Sequence, residues 1–181
     1  MPFTIASRAR ASCGCPRDVR RAFALVLTRL AVLACTFGYV GYFPVAPGTI
    51  GSVAGLVVYA LLRWLQAPAA ADAACIACLF ALGVWSGTHA ERYFGTTDPG
   101  PGVIDEVVGM LITLFLLPVS WGVIGAGFFI FRVLDVFKPY PARRFESLHG
   151  GMGMMADDVM SAIYANLALR ALVWIAPGCL L

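Results

Sequence analysis

The chain has 181 residues, 60% of them hydrophobic and 13% charged, with a formal net charge of +3. Soluble domains carry roughly a quarter charged residues, so the chain lies far outside that class. A charge this small and scattered excludes nucleic acid as a partner, whereas a bilayer with anionic lipids attracts short basic segments. Six cysteines form no disulfide framework: Cys13 and Cys15 lie in a polar stretch, Cys35, Cys75 and Cys78 in apolar runs, and Cys179 near the end. Cys75 and Cys78 make a C-x-x-C with no second ligand pair, so the thiols of the apolar runs read as small buried side chains.

In chain order, residues 1–21 hold Arg8, Arg10, Arg17, Arg20 and Arg21. They read as a basic cytoplasmic tail, uncleaved because no small-residue cleavage site closes the following run before Pro44. Residues 22–181 then form a single helical membrane domain. Apolar segments cover 22–43, 50–66, 73–90, 104–118, 121–137 and 158–176, bounded by proline, glycine or charge as helix ends are. None alternates with period two, so strands are not expected. The fold class is all-α: a polytopic membrane protein of five to six apolar helices, some shorter than the ~20 residues of a full span.

Tracing the crossings puts the start of the second segment and the 91–105 and 138–157 loops on one side. Those loops carry Arg92, Lys138, Arg143 and Arg144 against little more than Arg63 opposite, which places the shared face in the cytoplasm. A spanning 22–43 segment would put the arginine-rich tail outside. With Arg29, Gly38 and Gly41 in it, that segment is expected to be re-entrant or interfacial, irregular backbone being acceptable where protein covers it.

Six carboxylates punctuate the apolar stretches: Asp105, Glu106, Asp135, Glu146, Asp157 and Asp158. A charge beside hydrocarbon costs a few kcal/mol, about 2.5–3.5 on insertion scales, so each is a functional candidate. Four motifs carry them or face them. In Pro44–Ser52, Gly48 and Gly51 break the chain, and Thr49 or Ser52 can cap the next helix; the turn is either an ordinary cap or an anion site at a helix N-terminus. No lysine follows in a Walker A position. From Asp98 to Glu106 the adjacent acids Asp105 and Glu106 point about 100° apart on a helix, so one can ligate while the other orients water. In Phe131–Pro141, Arg132, Asp135 and Lys138 recur three apart and share a face. Asp135 stands near a helix C-terminus, where the dipole disfavours an anion, and an Arg132–Asp135 ion pair is the structural alternative. In His149–Asp158, Gly150 and Gly151 let backbone approach a ligand, and Asp157 and Asp158 open the last helix, where one of them can be an N-cap.

Oxygen ligands, few histidines and no cysteine cluster favour Mg²⁺ over zinc or copper. Magnesium held by carboxylates, opposite lysine and arginine, suits phosphoryl transfer. His89 reads as a helix-end polar residue.

With these residues in view, the chain resembles the phosphatidylglycerophosphatase A family. The resemblance rests on P-x-x-P-G-T-x-G-S at Pro44–Ser52, D-P-x-x-x-V-I-D-E-x-x-G at Asp98–Gly109, F-R-x-x-D-x-x-K-P-x-P at Phe131–Pro141 and H-G-G-M-G-x-M-x-D-D at His149–Asp158. It implies a bacterial inner-membrane, Mg²⁺-dependent lipid phosphatase that converts phosphatidylglycerophosphate to phosphatidylglycerol. The catalytic acids are then expected at Asp105, Glu106, Asp135, Asp157 and Asp158, with metal ligands among Asp105, Glu106, Asp135 and Asp158. Arg132 and Lys138 are expected to bind the phosphoryl group, helped by Arg143, His149, Gly150, Gly151 and the Gly48–Ser52 turn. Ser161-Ala162 departs from the Ala-Gly common in relatives and removes no reactive group. Attack by an activated water and a phospho-aspartate intermediate both remain open. Outside enzymes, a small transporter or channel using intramembrane carboxylates is the alternative; it calls for acids at several depths along the helices. Oligomeric state is not encoded in any of these motifs.

Overall fold

A computed structural model describes residues 16–96, 99–140, 142–145, 148 and 150–180. Among them every regular element is helical: α1 (Pro16–Cys35), a 3-10 turn (Val40–Tyr42), α2 (Pro47–Trp64), α3 (Ala69–Phe94), α4 (Ile104–Leu114), α5 (Trp121–Phe137), α6 (Ala142–Phe145), α7 (Gly151–Ile175) and α8 (Pro177–Leu180). The all-helical expectation holds. By length and composition, α3 and α7 are apolar enough to cross a membrane.

The ends of the helices follow local chemistry to different degrees. α5 has the bounds expected of it: Ser120 Oγ accepts the Val123 N–H at 3.1 Å, and Lys138 turns left-handed at φ 42 while its N–H reaches Leu134 O at 2.8 Å. α1 starts at Pro16, inside the stretch expected to be tail; proline favours a first helical position. It ends at Cys35, short of the 43 expected, and the backbone after it is irregular, with positive φ at Phe37, Gly38 and Tyr39. α4 stops at Leu114 rather than 118, because Leu116 is left-handed at φ 56 and Pro118 cannot continue a helix. α7 begins at Gly151, not 158, so Asp157 and Asp158 lie inside the helix. Neither is an N-cap.

Close approaches between helices set their directions. A Cβ on Gly51 would lie 2.8 Å from Val103, and one on Gly55 2.7 Å from Met110, so α2 and α4 run the same way. Gly87 meets Gly151 while Gly83 meets Met155, which makes α3 antiparallel to α7. Gly109 meets Phe131 and Gly127 meets Leu114, which makes α4 antiparallel to α5. The starts of α2, α4 and α7 therefore gather at one end of the bundle with the finishes of α3 and α5. The finish of α1 joins them, Cys35 O accepting the Val103 N–H at 3.0 Å.

α4 is buried on nearly every side, as a helix that is apolar all round beyond its first turn should be. It packs in one cluster with Tyr59, Phe131 and Leu169, and in another with Cys35, Ala90, Met154 and Met155. Its last carbonyls would otherwise lack partners in an apolar interior. Asn166 Nδ2 on α7 donates to Ile112 O, Thr113 O and Phe115 O at 3.0–3.1 Å, and Arg170 Nη2 adds Phe115 O at 3.1 Å. Of the thiols in apolar runs, Cys35 is buried and Cys75 half-buried, but Cys78 is exposed on α3.

Candidate active site

At the end where the helices gather, a cavity of about 360 Å³ opens between the starts of α2 and α4, the finish of α5 and the second turn of α7. Its wall contains Asp105, Glu106, Asp135, Asp157 and Asp158 together with Arg132 and Lys138, so distant motifs converge. Asp105 and Glu106 sit in the first turn of α4, where the helix dipole favours anions. Asp157 and Asp158 are each 3% exposed, a burial that a carboxylate tolerates only when it is partnered.

Partners account for some of these oxygens. Arg132 Nη1 donates to Asp135 Oδ2 at 2.6 Å, so the Arg132–Asp135 ion pair foreseen as an alternative is formed. Lys138 Nζ donates to Asp157 Oδ2 at 2.5 Å, tying the end of α5 to α7. Asp105 Oδ1 accepts the Glu106 N–H and Asp157 Oδ1 accepts the Asp158 N–H, both at 3.0 Å. Glu106 Oε2 and Asp158 Oδ2, by contrast, are buried with no hydrogen-bond partner among the described residues.

Asp105, Glu106 and Asp158 each offer a carboxylate oxygen within 4.8 Å of the other two. Three like charges so close, two with orphaned buried oxygens, fit a hard cation that takes oxygen ligands. Asp135 lines the same cavity but stands outside this trio, its Oδ2 engaged by Arg132.

The glycine turn contributes less than expected. Gly48 lines the cavity with Ala46 and Pro47, and a Cβ there would collide with Glu106 Oε1 and come within 3.1 Å of Arg132. Ala46, left-handed at φ 48, is the N-cap of α2, with Pro47 in the first turn. Thr49 and Ser52 are therefore inside the helix rather than capping it. Thr49 is not among the lining residues, and Ser52 Oγ donates back to Gly48 O at 3.0 Å. Gly51 packs on Val103.

Gly150 and Gly151 serve the helix start instead of the cavity wall. Glu91 Oε2 accepts the Gly150 N–H and Thr88 Oγ1 accepts the Gly151 N–H, both at 3.0 Å. Glu91 and Thr88 escaped notice in the sequence; the available signal was an acid at the end of a long apolar helix. His89 bonds Trp85 O on its own helix at 2.9 Å. His149, Asp98 and Glu146 lie outside the described residues, as does the side chain of Arg143.

Acids spaced for a cation beside bases suited to an anion have the make-up of a phosphate-ester hydrolase within a helical bundle. Comparison with known proteins narrows that class. Residues 33–173 match the family described as Phosphatidylglycerophosphatase A, and the chain belongs to that family. It is 39% identical over 134 residues to phosphatidylglycerophosphatase A of Escherichia coli, covering 73% of this chain and 76% of that one. Its identity to phosphatidylglycerophosphatase A of Haemophilus influenzae is 38% over 149 residues, covering 81% and 90%. A Bacteroides thetaiotaomicron relative, provisionally named a phosphatidylinositol-3-phosphatase, is 33% identical over 142 residues, covering 75% and 88%. No solved structure matches the chain. The protein is accordingly an enzyme of the phosphatase class.

Proposed function

We propose that the protein is a Mg²⁺-dependent phosphatase of the bacterial inner membrane. It removes the terminal phosphate of phosphatidylglycerophosphate, releasing phosphatidylglycerol and inorganic phosphate. The observation that carries this reading is the pair of orphaned oxygens on Glu106 and Asp158, clustered with Asp105 beside Arg132 and Lys138. Asp105, Glu106 and Asp158 would hold the ion. When bound, Mg²⁺ supplies charge neutralisation for the phosphoryl oxygens and acidifies water nearby.

The chain's own groups do the rest. Arg132 has five N–H donors in a planar fork, so it can keep Asp135 and still grip a phosphoryl oxygen. Asp157 accepts from the Lys138 ammonium in the same way, holding that cation in the cavity wall where a phosphoryl oxygen can meet its charge. Gly48 removes a side chain where the ester must approach Glu106 and Arg132. Single turnover in oxygen-18 water, with analysis of the enzyme for label, separates attack by water from attack by an aspartate.

Placement in the membrane, with several crossings and the cavity facing the cytoplasm, is supported by where the large aromatics lie. Trp64, Trp121 and Trp174 are exposed at the far end, and Tyr39, Tyr42, Tyr93 and Tyr140 at the cavity end, the pattern of two interfacial belts. Arg92 and Arg144 are exposed at the cavity end, in keeping with a positive cytoplasmic face. α1 exposes Arg21 and Arg29 among Phe23, Leu25 and Leu30, the mixture of an interfacial helix. A transporter would step its acids through the membrane depth; five share one cavity here.

The test is phosphate release from phosphatidylglycerophosphate by purified protein, with and without Mg²⁺, alongside Asp105→Asn, Asp135→Asn and Asp158→Asn. Metal-dependent release that the Asp105 and Asp158 substitutions abolish is expected. Activity near the parent's in all three variants would sink the assignment.

A further inference from the structure

We propose that the apolar groove between α2 and α5 seats an acyl chain of the lipid whose phosphate enters the acidic cavity. The inference rests on the phosphatase reading and adds a binding subsite to it. The groove measures about 470 Å³ and is lined by Val53, Leu56, Val57 and Ala60 of α2 and by Trp121 and Ile124 of α5. The same two helices deliver Gly48, Arg132 and Val136 to the cavity.

Helical spacing makes the two sites continuous. On α5, Ile124, Phe128, Arg132 and Val136 recur every four residues and so share a face; the stripe that ends in the phosphate-binding guanidinium begins in the groove. On α2 the groove residues Val53, Leu56, Val57 and Ala60 begin about 7.5 Å along the axis from Gly48. Gly48 and Ala60 stand about 18 Å apart along the axis, and Ile124 and Arg132 about 12 Å. One leaflet of hydrocarbon is roughly 15 Å deep, half of a ~30 Å core. A chain descending from a headgroup held at Arg132 therefore reaches the groove with its distal half.

The walls suit that occupant. Val53 and Val57 are exposed, which leaves the groove open sideways to lipid. At its far end Ser120 Oγ bonds Leu180 O and Arg63 Nη2 bonds Asp72, while Arg63 Nε, which has no partner among the described residues, is itself buried and so turned away from an occupant of the groove. Nothing at the bottom asks for a polar ligand, while the top holds bases for an anion. An amphiphile with a phosphate head and a hydrocarbon tail satisfies both.

Ala60→Trp and Val57→Trp fill the groove from exposed positions. Leu167→Trp, exposed on α7 and outside the groove, is the control. Each protein, in detergent micelles, is assayed for phosphate release from dioleoyl phosphatidylglycerophosphate and from its deacylated glycerophosphate diester-monoester headgroup. The groove variants should lose about tenfold or more in kcat/KM on the long-chain lipid, the scale of discrimination by an apolar pocket. They should stay within about twofold of the parent on the headgroup, and the control should match the parent on both. Groove variants that equal the parent on the lipid, or fall equally on both substrates, overturn the subsite and leave the phosphatase reading standing. A parent that releases phosphate from neither substrate overturns the phosphatase reading itself. As a second readout, phosphatidylglycerophosphate with a diazirine in its acyl chain should crosslink the parent at Val53, Val57 or Ile124; label spread evenly over the exposed helices, as from bulk lipid, or confined to a second copy's contact surface, counts against the subsite.

Discussion

The two ends of the bundle both bury carboxylates, and they handle them differently. At the far end Asp72 on α3 meets Arg63 on α2, one acid for one base, with the Tyr59 ring under the guanidinium. In the cavity wall five acids face two bases, and two buried oxygens there, Glu106 Oε2 and Asp158 Oδ2, are left without a hydrogen bond among the described residues. A matched pair is a way to join helices. An excess of one sign, held together by the fold, is a way to bind something of the other sign. The contrast separates structural acids from reactive ones where burial alone does not, since Asp72 and Asp135 are equally exposed at 9%.

The largest effect expected is at the cavity end. Asp158→Asn should lower phosphate release by at least about 100-fold, the upper range for groups that support a metal site, with thermal unfolding in detergent little changed. Full activity in that variant would erase the distinction between the ends. Arg132→Lys keeps the charge but loses the planar fork; a fall of about 10–100-fold in kcat/KM is expected from steady-state kinetics, and parity with the parent would mean that the guanidinium serves Asp135 alone. Gly48→Ala puts a methyl group against the Glu106 carboxyl and should cost about tenfold in turnover, read in the same assay; an unchanged rate would remove Gly48 from the site. Arg63→Met at the far end should leave turnover per folded molecule alone. Orphaning Asp72 should destabilise the fold by about 1–3 kcal/mol, seen as a lower melting temperature in detergent, and adding Asp72→Leu should restore most of it. A lost activity in Arg63→Met with unchanged melting would show that the far end is not merely structural.

Sequence periodicity located the helices because their apolar runs are long, and α5 came out whole because both its caps are local, Ser120 before it and Lys138–Pro139 after it. The early stop of α4 was hidden: its last carbonyls are satisfied by Asn166 and Arg170, some fifty residues away. The run from Gly150 to Met155 looks like a loop in glycine content, yet Gly151 is there so that α7 can approach Gly87 of α3. That misreading placed Asp157 and Asp158 at a helix start. The acids themselves were legible, because carboxylates are conspicuous in apolar surroundings. Which of them are neutralised by Arg132 and Lys138 was not, since the Lys138–Asp157 bond depends on how α5 and α7 pack.

The clasp at the end of α4 has a mechanical consequence. Asn166 and Arg170 fasten one tip of this short rod to α7, and at the other tip Asp105 and Glu106 stand against Asp158 of the same partner. With the Val103 N–H at that second tip held by Cys35 O of α1, the rod is tethered at both ends, which limits sliding and sets the spacing of the three acids before any substrate arrives. Whatever breathing admits a bulky guest is left to α2 and α5, the two staves between which the described residues show no such rivet.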